Sequence, residues 1–548
     1  MIFFFIKILI TVLFYIVLGK LTVYKIFKYK GTNLIDTSIV GIISASLLPL
    51  IINFFFPLSL IVNTIFLLTI FFAFLFLKFN LEKFDYFFIL VVTILSFIII
   101  LFDNEYRPDA GLYHLPYTQI LNEQNIIIGL TNLHTRFGHI SIIQYLSAFN
   151  LNIFTGEEGL IIPISVIFSF IYLYFLYDIY KLSKKKEDIS VGKIFSIFIL
   201  IYITYKINRY SEFGNDAPAH LLFFYLISKF LYYKKNSLKN IHNIYLYTVY
   251  LFLNKVFFIF TFILPLYLLV QKRSYLLNFI FSVPTLLFFL WISKNIFISG
   301  CLLFPMKITC FESLKWTNLH LVESANIEAD AWAKAWPQNV NKAISMEEFT
   351  KNFKWVESWM SIHFKYITKI LLPYIIFLIL ILFYLINIKK KSLNNFIKND
   401  KYYLLILISI IGSITFFLKF SVYRYGYSYL VLLIFTSLIW SFKFINKAKF
   451  QRICKILIPL SLIIILSKQV VRYQINYNIR NFIPDHIFID KKEYNIKYNK
   501  VYLSESFTVY YSKNECFYGL APCTNYKYGV NTKKLKYEKK LIFNIIYL

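Results

Sequence analysis

Fourteen apolar runs, separated by short polar or basic segments, occupy most of the first 467 residues of the chain. Most of them approach the ~20 residues that an α-helix needs to cross a bilayer, and the shorter ones suit tilted or half-buried helices. The pattern therefore predicts an all-α polytopic membrane domain over residues 1–467, with about 12–14 transmembrane helices. The runs lie at residues 2–18, 38–54, 58–77, 86–102, 160–180, 193–205, 217–233, 244–253, 256–270, 275–292, 367–387, 402–418, 427–442 and 455–467.

The charge of the loops between these runs predicts an orientation. All the basic loops fall on one side if the N-terminus is outside and residues 244–270 cross twice, turning near Lys255. Because cytoplasmic loops carry the excess of Lys and Arg, we expect a multi-pass membrane protein with these loops in the cytoplasm. Its outer loops are then 103–159, 206–216 and 293–366. The basic loops are Lys20–Lys30, Lys78–Lys83, Lys181–Lys193, Lys229–Lys239, Gln271–Arg273, Lys389–Lys401 and Lys443–Lys455.

Composition agrees with a membrane protein and argues against a nucleic-acid partner. Of the 548 residues, 58% are hydrophobic, and the mean hydropathy is +0.62, which is far too apolar for one soluble core. The formal net charge of +30 is spread over short loops and forms no separate basic domain. We therefore expect membrane lipids as partners and no nucleic acid.

The character of the chain changes after about residue 468. Residues 468–548 are mixed polar, aromatic and Lys-rich, with strand-like stretches such as Lys500–Ser504. This composition predicts a small mixed α/β domain, which the topology places outside the cytoplasm.

Four of the five cysteines also fall outside in this topology. The short spacings pair Cys301 with Cys310 and Cys516 with Cys523, as disulfides in an oxidising compartment. Free thiols are the alternative.

The first outer loop opens with a dense group of ionisable residues. Asp103, Glu105, Asp109 and His114 follow the fourth apolar run within a dozen residues. Carboxylates at the mouth of a membrane helix are costly unless water, a counter-ion or a substrate is present. We therefore expect the reaction centre here, with these four as candidate catalytic residues.

A second acidic mouth precedes the seventh apolar run. Glu212 and Asp216 lie there, and Asp216 shares a helix face with His220, one turn later. Capping of the helix by Asp216 is an equally good explanation. Asp216 and His220 are also candidate ligands for a divalent metal ion, a cofactor that the sequence neither requires nor excludes.

Three cationic residues on the outer side of the membrane, the side of the acidic residues, are candidates for binding a phosphate. Lys255 lies at an outer turn inside an apolar stretch, Arg424 lies at another, and Arg136 lies in the first outer loop. A guanidinium binds phosphate bidentately. Anchoring at the lipid interface is the alternative for Lys255 and Arg424.

Aromatic residues are concentrated in the third outer loop. Trp332 and Trp336, like Trp355 and Trp359, have the i,i+4 spacing of one helix face. An interfacial aromatic belt explains them best, and sugar stacking is the alternative. The apolar run Ile140–Phe154 suits a helix that lies on the membrane surface or re-enters it.

Together these features resemble the GT-C superfamily of membrane glycosyltransferases. Many helices, a long first outer loop that opens with acidic residues, a second acidic mouth and a soluble C-terminal region are common to both. Several short motifs more narrowly resemble a bacterial family of largely uncharacterised polytopic membrane proteins. These motifs are Asp109–Pro116, Gly129–His134, Arg136–Gly138, Ser299–Pro305, Arg424–Gly426 and Glu515–Thr524.

The superfamily resemblance implies transfer of a sugar from a polyprenyl-phosphate-linked donor to a lipid, glycan or protein acceptor on the non-cytoplasmic face. It implies an acidic catalytic base near the start of the first outer loop, where Asp109 matches best and Asp103 and Glu105 compete. In this chain the acidic outer loop follows about four helices, whereas in the superfamily it usually follows the first helix. A transporter or flippase of lipid-linked saccharides and an O-antigen-type polymerase or ligase are the alternatives. The oligomeric state is left open.

Overall fold

The computed structural model describes residues 1–29, 33–76, 82–101, 109–184, 189–207, 214–233, 238–338, 344–386, 400–476, 497–513, 515–525 and 534–548. Within these ranges the chain is mostly helical to Asn476, and each of the fourteen apolar runs lies largely on a helix. The α-helices are α1 (Ile2–Leu21), α2 (Leu34–Asn53), α3 (Leu60–Phe76), α4 (Lys83–Ile100), α5 (Leu115–Glu123), α6 (Ile142–Phe149), α7 (Ile162–Ser183), α8 (Val191–Lys206), α9 (Asp216–Tyr232), α10 (Leu238–Asn254), α11 (Ile263–Gln271), α12 (Leu276–Ile280), α13 (Val283–Ser299), α14 (Leu319–Ala333), α15 (Met346–Thr350), α16 (Val356–Trp359), α17 (Lys365–Leu385), α18 (Asp400–Lys419), α19 (Tyr427–Leu438) and α20 (Lys447–Asn476).

Seven helices in the described part of the chain are long and apolar enough to cross a membrane. A bent pair, Val256–Gln271 with Arg273–Ile280, makes an eighth if its two arms, which are bent by 109° relative to each other, form one span. Six further helices on the apolar runs have only 12–17 residues, which is about 18–26 Å and shorter than a ~30 Å hydrocarbon core. Length and composition therefore support a multi-pass protein with fewer unambiguous spans than the sequence predicts.

Local sequence determines where several helices begin and end. The side chain of Asn33 caps α2 by accepting from the amide of Asp36 at 2.7 Å. Ser141 and Gln144 form a capping box that starts α6. Gly300 has φ +75° and ends α13, because this left-handed conformation strains residues with a Cβ atom.

α1 and α2 cross at two glycines. A Cβ atom at Gly19 would lie 2.0 Å from the carbonyl oxygen of Thr37, and one at Gly41 would lie 1.8 Å from that of Tyr15. The backbones therefore touch directly, as small residues allow in membrane helix pairs.

α7 lies near the centre of the bundle. In its most apolar stretch 83% of the residues are buried, whereas in the span that contains α17 the buried share is 33%.

α6 is buried along its length and packs on α2 and α5. The expectation of a helix that lies on the membrane surface is therefore wrong for α6, because other helices cover it. The expectation of a re-entrant helix stays a prediction.

Residues at the ends of several basic loops form ion pairs at one end of the described bundle. The pairs are Lys20–Asp85 (3.2 Å), Lys193–Asp178 (2.6 Å) and Lys229–Asp36 (2.5 Å). α9 runs from this end, at Lys229, to the opposite end, at Asp216. The chain also turns at Lys255, because α10 stops at Asn254 and packs against the 3₁₀ segment Val256–Phe262 and α11.

The C-terminal region forms two small sheets and contacts the rest of the chain. One sheet has the order β1-β2-β3 and the other is a hairpin of β4 and β5. The amides of Cys516 and Phe517 donate to the carbonyl oxygen of Gly111, and Ile545 bridges to Ile128. The strands are β1 (Tyr498–Ser504), β2 (Phe507–Ser512), β3 (Cys523–Asn525), β4 (Lys536–Lys540) and β5 (Phe543–Tyr547).

This region differs from the predicted domain in two ways. α20 continues to Asn476, past the predicted boundary at 468, and the described residues after 497 form strands with no α-helix among them. The four cysteines predicted to pair are disulfide-bonded, as Cys301–Cys310 and Cys516–Cys523.

Candidate functional site

Of the three carboxylates that open the first outer loop, Asp109 is the one that the structure describes. It directly precedes a π-helix, Ala110–His114, which continues into α5. Such wide turns are frequent at functional sites. Asp103 and Glu105, its competitors for the role of base, lie outside the described residues, and so does Glu212.

Asp109 belongs to an ion network that joins four distant segments. The Nη2 atom of Arg424 lies 3.1 Å from Oδ2 of Asp109, and its Nε atom lies 2.9 Å from Oδ2 of Asp216. The ammonium group of Lys255 pairs with the other oxygen of Asp216. Two carboxylates therefore face two cations.

The network is partly exposed. The side chains of Asp109 and Arg424 are 44% and 43% exposed, whereas Asp216 is 27% and Lys255 13% exposed. Asp216 is the first residue of α9, so the network lies at the end of that helix opposite Lys229. Charged groups within a membrane bundle usually pair with one another or face water.

Tyrosines lie beside the cations and Asp109. The ammonium group of Lys255 lies 3.3 Å from the ring centroid of Tyr425, a cation–π contact, and the guanidinium carbon of Arg424 lies 5.5 Å from it. Burial raises the pKa of Tyr113 well above its usual value, and the charge of Asp109 adds to this effect. Tyr113 therefore keeps its hydroxyl proton beside Asp109.

His114 is a neutral member of a buried polar chain. Its Nδ1 atom lies 2.5 Å from the side-chain nitrogen of Gln144. An amide nitrogen can only donate, so Nδ1 accepts and the ring proton of His114 is on the other nitrogen, Nε2. Burial lowers the pKa of His114 to about 4. Gln144 accepts from the amide of Ser141, whose hydroxyl donates to Asn254, the neighbour of Lys255.

The second predicted histidine is already fully engaged. Nε2 of His220 lies 2.8 Å from the backbone oxygen of Arg424 and Nδ1 lies 2.6 Å from the hydroxyl of Ser428. Neither nitrogen is free to bind a metal together with Asp216. Among the residues with described positions, no three His, Cys, Asp or Glu side chains could hold a metal ion. His220 instead fixes the backbone of Arg424.

Arg136 lies apart from the four-residue network. Its nearest acidic partner is Glu328 of α14, with the two side chains 3.7 Å apart. It is close enough to Tyr113 to oppose the rise in that residue's pKa. Arg136 therefore lies near Tyr113 without joining the Asp109–Arg424 pair.

The third outer loop holds Arg424 in place through buried tryptophans. Trp359 donates to the backbone oxygen of Ser421 at 2.6 Å, and the hydroxyl of Ser421 donates to Ala333 of α14 at 3.1 Å. Trp355 and Trp359 are only 2% and 5% exposed. The expectation of an interfacial belt is wrong for this pair, because they pack inside the protein.

Sequence reasoning did not find Tyr113, Gln144 or Tyr425. Tyr113 and Tyr425 each adjoin a residue that was selected, so proximity in sequence was an available signal. Gln144 stood out only as a polar residue in an apolar run, because its contact with His114 forms across 30 residues.

These features define a class: a helical multi-pass membrane protein with a water-accessible ion network at one end. Residues 1–431 match the family model described as Domain of unknown function (DUF8201), and the chain belongs to that family. The matched range includes all four residues of the network and stops before α20 and the sheets. No curated protein and no solved structure matches the chain.

Proposed function

We propose that this protein is a membrane glycosyltransferase that transfers a sugar from a polyprenyl-phosphate-linked donor to a lipid, glycan or protein acceptor. The observation that carries the proposal is the convergence of Asp109, Asp216, Lys255 and Arg424 in one partly exposed ion network. A bacterial inner membrane, 12–14 crossings, a GT-C-like arrangement and a network that faces the exterior are parts of the same proposal.

Asp109 is the base in the proposed reaction. As the acceptor oxygen attacks the anomeric carbon, its proton passes to the Asp109 carboxylate. The bond between the anomeric carbon and the phosphate oxygen breaks, and the polyprenyl phosphate leaves with the electron pair. A positioned carboxylate of this kind contributes about 10²–10⁴-fold to the rate.

Arg424 and Lys255 stabilise the phosphate that leaves. Both cations are paired with carboxylates in the structure, so an arriving phosphate exchanges places with a carboxylate. When Arg424 turns to the phosphate, Asp109 loses its counter-ion and becomes a stronger base. Arg136, which lies near Tyr113, is a further phosphate contact in the proposed reaction.

The test is a transfer assay with purified protein in lipid nanodiscs and a radiolabelled polyprenyl-phosphate sugar. Asp109→Asn should lower turnover by about 10²-fold or more, because the amide cannot accept the proton. The matched control is Glu323→Gln, which removes an exposed carboxylate that pairs with Lys307 away from the network.

Full turnover of the Asp109→Asn protein contradicts the assignment of the base. Movement of the labelled lipid across the bilayer without sugar transfer would instead indicate a transporter or flippase. Loss of chain length with single-sugar transfer intact would indicate a polymerase.

A further inference from the structure

The described turn 110–116, which follows Asp109, leaves the carbonyl oxygen of Gly111 without a donor of its own. The amide of Leu115 donates to the oxygen of Ala110, as in a π-helix. The next amide in that pattern belongs to residue 116, which is a proline and has no N–H group. Gly111 is buried, so a donor from elsewhere is needed to recover the cost of burying its oxygen.

The C-terminal region supplies two donors to this oxygen. The amide nitrogens of Cys516 and Phe517 lie 3.1 and 3.0 Å from it. The fit is close, because a Cβ atom at position 111 would lie 2.7 Å from the ring of Phe517 and 2.8 Å from the carboxylate of Glu515. A glycine at this position therefore lets the two segments meet.

A disulfide connects these donors to the small sheet. Cys523 begins β3 and lies opposite Tyr510 of β2, and the Cys516–Cys523 bond ties the first donor to that strand. The hydroxyl of Tyr498, at the start of β1, donates to the carbonyl oxygen of Cys516 at 3.0 Å. The sheet therefore holds the amide of Cys516 against Gly111.

The loop that this disulfide closes, residues 516–523, also contacts α5, into which the turn continues. The hydroxyl of Tyr518 donates to Oδ1 of Asn122 at 3.2 Å. The side-chain nitrogen of Asn122 donates to the backbone oxygens of Leu58 and Ala148, at 2.6 and 3.0 Å. The disulfide loop is thus bonded to both ends of the segment that follows Asp109.

Loss of the two amide donors would affect Asp109 directly. The buried oxygen of Gly111 would be left without a partner, so the turn would shift to bring it to water or to another donor. Asp109 is the residue that precedes the turn, and its carboxylate lies 3.1 Å from Arg424. A shift of the turn therefore changes the position of this carboxylate.

We propose that the disulfide loop is a positioning element for Asp109, which it holds beside Arg424 through its bonds to Gly111. For its effect on sugar transfer, the inference rests on the proposed function, in which Asp109 is the base. Misplacing a reacting group by about 1 Å can cost about 10²-fold in rate.

The first experiment removes the disulfide from the full chain in lipid nanodiscs. The variant, called the Ser pair, is Cys516→Ser with Cys523→Ser. The matched control is Cys301→Ser with Cys310→Ser, which removes the other disulfide. Hydrogen exchange, followed by mass spectrometry, is measured on the turn 110–116 and needs no sugar transfer. We expect about tenfold faster exchange in the Ser pair than in the unaltered protein, and no change in the control.

The second experiment, a transfer assay, tests whether the loop acts through Asp109. The Ser pair should lower kcat about tenfold or more and leave the KM for the labelled donor nearly unchanged. In the Asp109→Asn background, the same pair should lower the residual rate less than about twofold, because the carboxylate that it positions is already absent. A merely structural role would lower both rates by the same factor.

Tyr518→Phe is a milder variant, which keeps the ring and the disulfide and removes one hydrogen bond of the loop. We expect it to speed exchange of the turn and to lower kcat by smaller factors than the Ser pair, and it tests the same contact if the Ser pair does not fold.

Exchange of the turn that is the same in these variants and in the unaltered protein overturns the proposal. An equal loss of rate with and without the Asp109 carboxylate also overturns it. If exchange is faster in the Ser pair but no protein transfers sugar, the proposed function fails and the positioning of Asp109 by the loop stands.

Discussion

Burial determines the charge of His114 beside the ion network. The ring is 6% exposed, and its pKa is lowered from the usual 6.5 to about 4 because of burial, which outweighs the opposing charges of Asp109 and Asp216. Between these two pH values an unfolded chain binds a proton at this residue and the folded chain does not. Stability is therefore lost as the pH falls from 6.5 towards 4.

Replacing His114 tests this link between pH and stability. As the pH falls from 6.5 to 4.5, the midpoint of thermal unfolding should fall less steeply in His114→Gln than in the unaltered protein. The variant lacks the buried imidazole, whose protonation costs the folded state at most about 3 kcal/mol over this range. Some slope should remain, since burial also lowers the pKa of His134 and His139, each to about 3. The control is His320→Gln, which changes an exposed histidine on α14. A slope identical to that of the unaltered protein would refute the role of His114.

The α1–α2 crossing shows how small residues control the approach of helices. Gly19 and Gly41 place backbone against backbone, so neither helix can tolerate a methyl group there without separating from the other. Dispersion contacts along the pair depend on this distance. The lack of a Cβ atom at Gly19 and at Gly41 therefore determines the distance between the two helices.

Gly41→Ala should lower the free energy of unfolding by at least about 2 kcal/mol, because the added methyl group overlaps the carbonyl oxygen of Tyr15. Thermal unfolding in detergent measures the change. Gly214→Ala is the matched control, since no atom lies within 4 Å of a Cβ placed there. Equal midpoints for the two variants would show that the helices can separate without cost.

The two ends of the bundle differ in chemistry, and sidedness can be tested with exposed positions on each. We expect a cysteine in place of Glu323 to react with an impermeant maleimide in intact cells, and one in place of Arg273 only after permeabilisation. Background labelling should be low, because Cys454 is buried and the other four cysteines are paired. The reverse labelling pattern would place the ion network on the cytoplasmic side.

Sequence patterns predicted the helices well because a run of apolar residues needs no partner to be recognised. They selected Asp109, Asp216, Lys255 and Arg424 individually, since each is a charge out of place in apolar surroundings. They could not predict that Arg424 contacts Asp109 across 315 residues, because such a contact follows from packing of the bundle. For the same reason the burial of α6 and of Trp355 was missed.

The contact of Gly111 with Cys516 and Phe517 has a consequence for the order of assembly. Gly111 follows Asp109 closely, whereas its two amide donors come after α20 in the chain. A ribosome makes the N-terminal part first, and this part can begin to fold before the rest is made. The surroundings of Asp109 are therefore completed only after the strands that follow α20 have been translated and have reached the same end of the bundle.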